Sequence, residues 1–164
     1  MPTANEVLAH SLTGSARLLN RFCEDLKPEE YLHRPTAGAN CAAWLIGHLT
    51  MTDRSALTRL GKPADGLPAL PDGFDKRFAR DAEAPQAKSF GDVSLLVPLF
   101  NQHRDMLIGV VRILPAEVLD RPLEKPHPMF STVWEMLNFL GLHAIMHAGQ
   151  ISTIRRSLGR PPMM

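Results

Sequence analysis

The stretch from Thr132 to Arg160, TVWEMLNFLGLHAIMHAGQISTIRRSLGR, constrains this chain more than any other. Met136, Leu140, His143, His147, Ile151, Ile154 and Leu158 recur at spacings of three and four, the period of a single helix face, so the stretch predicts a long helix with one buried stripe. Two histidines lie on that stripe. Side chains four residues apart project from one face a turn above each other, so His143 and His147 can converge on one small object. The object that suits two neutral imidazoles is a divalent metal ion.

Two imidazoles rarely satisfy a metal alone. The first candidate for a third ligand is His48, in the helix-like run AAWLIGHLTMTD, where Trp44, Leu45 and Met51 flank it on the same side. Three histidines from two helices would leave positions open for water or substrate, which is the arrangement of a reactive site more than of a closed structural one.

The segment WLIGHL, followed far along the chain by HAIMHAGQI and then RRSLGRPP, resembles the DinB/YfiT family of four-helix metalloproteins, with the motifs in the family's order over nearly the whole chain. The resemblance implies a metal triad of His48, His143 and His147, all three present here. It speaks to fold and metal binding more than to one reaction. Characterised relatives include metal-dependent transferases and isomerases that use low-molecular-weight thiols, so the implied chemistry is activation of such a thiol, or of water, by an S-transferase or hydrolase. Relatives often dimerise through helix faces, which implies a homodimer here. Histidine nitrogen suits several divalent ions; zinc is the default and nickel the rival.

At 164 residues and 45% hydrophobic, the chain suits a single domain over residues 1–164 with one core. Its formal charge is +1, from 18 basic and 17 acidic residues, which argues against a nucleic-acid partner; Arg155 and Arg156 read as a solvated helix end. The N-terminus MPTANEVLAH lacks the regions of a signal peptide, and no apolar run approaches the length of a membrane span, so a soluble, cytoplasmic protein is expected. Cys23 and Cys41 fit neither a CxxC pair nor a disulfide framework and are expected reduced. Cys41 falls in the first turn of a helix, where the dipole can activate a thiol, but an isolated cysteine is more often a small buried residue.

Four helices are expected. Thr3 and Glu6 make a capping box for the first, whose stripe is Leu8, Leu12, Ser15, Leu19, Phe22 and Leu26, with Pro28 ending it and His10 off the stripe. His33 reads as a loop residue. The second runs from an Asn40 cap to about Leu60, ending at Gly61 and Pro63, and carries His48; Gly47, like Gly149 beside His147, is either a site of close helix approach or a tolerated defect. Residues 62–90 are rich in proline and glycine, a lid or a plain crossover with a turn of helix near Lys76 to Asp81. The third helix covers Asp92 to Leu114, with Pro98 in its first turns and His103 in its apolar seam. His103 is either a proton-transfer or supporting group facing the metal pocket or a core histidine. A second connection, PAEVLDRPLEKPHPMFS, holds His127 between prolines as an exposed loop residue; Thr132 and Glu135 then cap the fourth helix.

The expected architecture is therefore all-α, a four-helix bundle with long crossover connections. Its site would hold an electrophile between the helices and residues 62–90. Neither Glu135, about two turns from His143, nor Asp53 can be placed on the metal as a general base. The alternative is a protein that binds metal without turnover, or whose histidines only pack, and which works through a helical dimer face.

Overall fold

A computed structural model describes residues 1–79 and 90–163. It is mostly helical. The first helix, α1 (Ala4–Cys23), starts as its capping box requires: the Thr3 amide donates to Glu6 Oε2 at 2.7 Å and the Glu6 amide donates to Thr3 Oγ1 at 3.2 Å. Leu8, Leu12, Ser15, Leu19 and Phe22 are buried along it, and His10 is exposed.

Helix α2 (Ala42–Arg59) begins at Cys41, not at the expected Asn40 cap, and Cys41 makes no side-chain capping bond. Its thiol is wholly buried instead, so packing rather than capping chose the residue. The helix closes on Gly61 at φ 88, whose amide bonds to Thr58 O while the Lys62 amide reaches Leu57 O, both at 3.0 Å.

The following segment forms a short helix α3 (Phe74–Arg77) inside the crossover. Of the expected Lys76–Asp81 turn, Lys76 and Arg77 are in this helix, and residues 80–81 lie outside the described residues. Phe74, Phe78 and Phe90 are all buried, and a Cβ on Gly47 would fall 2.3 Å from the Phe78 ring. Gly47 therefore admits an aromatic ring, not a second helix. Helix α4 (Leu96–Ile113) follows a 3-10 turn at Val93–Leu95, with Pro98 in its first turn.

After the short helix α5 (Ala116–Leu119) the chain departs from an all-α architecture. Strands β1 (Pro122–His127) and β2 (Phe130–Thr132) pair antiparallel, His127 opposite Phe130 and Pro122 opposite Thr132, with an irregularity between. The proline content of PLEKPH argues against a strand in a sheet interior, but two strands are both edges, where a missing amide costs little. The long helix α6 (Val133–Ser157) leaves β2 directly through the Thr132–Glu135 capping box.

Helix α1 packs on α4 and α6, and α2 packs on the same two. Where α1 meets α6, a Cβ on Gly141 would lie 2.6 Å from Ser11 Oγ, so close approach falls at this glycine rather than at Gly47 or Gly149. A buried ion pair ties three helices together: Arg104 of α4 donates to both carboxylate oxygens of Asp53 on α2, at 2.7 and 2.9 Å, and to Ser15 Oγ on α1 at 3.2 Å. Among the described residues no helix is long and apolar enough to cross a membrane.

Candidate metal centre

His143 and His147 lie a turn apart on α6, both buried, with their Nε2 atoms 2.8 Å apart. His48 comes from α2, and its ring stands edge-on to both, at 89° and centroid distances of 5.2 and 5.5 Å. The three side chains offer ligand nitrogens within 4.8 Å of one another.

Each element supplies a backing. Trp44, one turn before His48, stacks on it at 4.8 Å and 6°; Phe139, one turn before His143, stacks on it at 5.2 Å and 22°. Spacing of four puts each aromatic over the histidine it braces. Gln150 does the same for His147 by hydrogen bonding: its Oε1 lies 2.7 Å from His147 Nδ1. An amide oxygen only accepts, so Nδ1 carries the proton and Nε2 is left with the lone pair a metal needs. Burial holds the His147 imidazole below its ordinary pKa, with the Gln150 bond pulling upward, and the neutral ring is the ligating form. Three imidazoles with ligand nitrogens within 4.8 Å, one of them oriented by Gln150, fit a borderline divalent ion such as zinc or nickel.

The cluster opens on a cleft of about 460 Å³. One wall is α6, with Met136, Phe139 and Met146; the other is α2, with Thr52, Ser55 and Arg59. The hairpin closes one side with His127, Met129 and Phe130. None of the described part of 62–90 lines the cleft, and residues 80–89 of that segment lie outside the described residues. His127 also departs from its reading as an exposed loop residue: it is half-buried, stacks on Phe130 at 4.5 Å, and takes the Met129 amide on Nδ1 at 3.2 Å. Recognising the turn at Pro128–Met129 as a hairpin was the signal that could have found it.

His103 does not join the cluster. It is wholly buried, its Nδ1 2.8 Å from Leu99 O and its Nε2 3.3 Å from Arg54 Nη1, and it lines no part of the cleft. His33 lies 2.9 Å from Ser157 Oγ. Glu135 spends its carboxylate on the Ser131 and Thr132 amides, which hold it down to about 2, and Asp53 is committed to Arg104. Among the described residues no carboxylate lines the cleft.

A family model described as the DinB superfamily matches residues 11–151. No curated protein matches the chain. Among solved structures, a crystal structure described as the conserved protein of locus from Enterococcus faecalis is similar at 17% identity and a TM-score of 0.72, over 98% of this chain and 100% of that one, a likeness of fold.

Proposed function

The chain belongs to the DinB superfamily, and from that premise we propose that it binds one divalent metal through His48, His143 and His147 and uses it to activate a low-molecular-weight thiol or water. The observation that carries this reading is the convergence of the three rings, with Gln150 Oε1 2.7 Å from His147 Nδ1 on the side away from His143 Nε2. A divalent ion held by neutral histidines keeps its full charge and lowers the pKa of a bound thiol or water toward neutrality. Zinc is the first candidate and nickel the second.

The chain's own residues support the rest. Trp44 and Phe139 keep bulk water from the backs of the rings, and Met136, Phe139 and Met146 offer an apolar bed for an electrophile. His127, with Nδ1 accepting an amide, carries its proton on Nε2 and can donate to a developing negative charge. In this reading α1, α2, α4 and α6 form a four-helix bundle, and the protein works in the reducing cytoplasm, where Cys23 and Cys41 stay thiols.

Leu142, Ile145 and Met146, exposed on α6, favour a homodimer through this helix, and they also support the second reading, a non-catalytic metal-binding protein acting through that face. Elemental analysis of protein purified without chelator or nickel resin tests the site. One equivalent of metal per chain, lost in His48→Ala, is expected; no metal in either protein after incubation with zinc and nickel salts would leave the histidines as core residues.

A further inference from the structure

On α2 the cleft is lined by Trp44, Ala56 and four polar residues, His48, Thr52, Ser55 and Arg59. Their spacings of four, three and four keep them on one stripe of the helix, and at the rise of an α-helix the stripe runs about 16 Å from the histidine cluster to Arg59. The opposite wall is apolar, from Met136, Phe139 and Met146. A molecule lying in this cleft therefore meets hydroxyls along one edge and hydrocarbon along the other.

The far end is cationic. Arg59 sits at the last turn of α2, exposed, with Nη1 braced on Lys125 O at 3.1 Å, and among the described residues no carboxylate stands within ion-pair distance of it. It lines a second cleft as well, of about 640 Å³, where Arg121 and Lys125 add charge against Glu124 alone. A guanidinium held by one backbone bond still presents most of its donor fork, which matches a carboxylate.

We propose that Arg59 selects the substrate: the co-substrate is an elongated molecule with its reacting end at the histidine cluster, hydrogen-bonding groups toward Thr52 and Ser55, and a terminal carboxylate on Arg59. This rests on the cleft being the site proposed above, and it narrows the substrate to long, acid-tailed compounds over short neutral ones.

The test uses undecanoate and undecanol as probes, titrated calorimetrically into the zinc-incubated protein and its Arg59→Gln and Arg59→Lys variants. Undecanoate is expected to bind the Gln variant at least tenfold more weakly, with Lys intermediate and undecanol indifferent to both changes. The Arg59 Nε–H resonance should shift with undecanoate and not with undecanol. Equal undecanoate affinity in the parent and Arg59→Gln, or no undecanoate binding at all, overturns the proposal. Elemental analysis of the same samples keeps the two readings apart: selection through Arg59 in protein that holds no metal would sink the metal site and leave the carboxylate subsite standing.

Discussion

His147 Nδ1 and Gln150 Oε1 lie 2.7 Å apart, and that one bond decides which face of the imidazole is a ligand. Replacing the acceptor frees the ring to change tautomer or rotate. Gln150→Ala should weaken metal affinity by about 10- to 100-fold, the usual cost of losing such a supporting bond, while Gln150→Glu should hold it. Competition against a chromophoric chelator measures both; an alanine variant with parental affinity would remove Gln150 from the site.

Thiol activation predicts an optical signal. Adding a small thiol to the metal-loaded protein near neutral pH should give a thiolate ultraviolet band, and His143→Ala should abolish it together with most metal binding. The stripe residues Met136, Leu140 and Ile151 remain, so the variant should still fold. Absence of the band across the common cellular thiols would favour water activation or no turnover.

Two glycines in similar sequence settings should respond with opposite signs. A Cβ at Gly149 meets nothing within 4 Å, so Gly149→Ala should stabilise by about 1 kcal/mol through helix propensity. At Gly47 the new methyl enters the buried Phe78 ring, and Gly47→Ala should cost about 1–3 kcal/mol. Urea unfolding distinguishes the cases; equal effects would mean that Phe78 does not pack on α2.

That contrast shows where the sequence is legible. Both capping boxes, the α1 stripe and the His143–His147 pair rest on contacts within one or two turns, and local spacing carries them. Phe78 reaching Gly47, Arg104 reaching Asp53, and His127 reaching the cleft join residues far apart in the chain, with no periodic signal. Asn40 had the right chemistry for a cap, but the helix began where burial of Cys41 was more favourable. The hairpin was hidden by its prolines, which read as loop until the partner strand is known.

Glu135 makes the start of α6 sensitive to acid. Its carboxyl, held at about 2 by the Ser131 and Thr132 amides, lies below its ordinary 4.5, so the folded state favours the ionised form. The contribution is fully present above the ordinary value and is lost as pH falls toward about 2. Glu135→Gln should lower the melting temperature at neutral pH and flatten its decline over that acid range. An unchanged profile would mean the bonds to Ser131 and Thr132 add nothing to stability.

The Arg104–Asp53 pair should behave as a buried charge pair does, costly to halve and cheap to remove whole. Burial pushes the Asp53 carboxyl up, and the charge and hydrogen bonds of Arg104 pull it down. Arg104→Ala keeps the first influence and deletes the second, at about 3–5 kcal/mol. Asp53 would then take up a proton on folding, so its folded pKa would stand above the unfolded one and the variant would lose stability as pH rises toward neutrality. Arg104→Met with Asp53→Leu removes both charges and should recover most of the loss, leaving Ser15 bonded to Leu12 O at 2.9 Å as it is now. Denaturant midpoints at mildly acidic and neutral pH test both statements. A double variant as unstable as Arg104→Ala would mean that the guanidinium bond to Ser15, not the ion pair, holds α1 against α4.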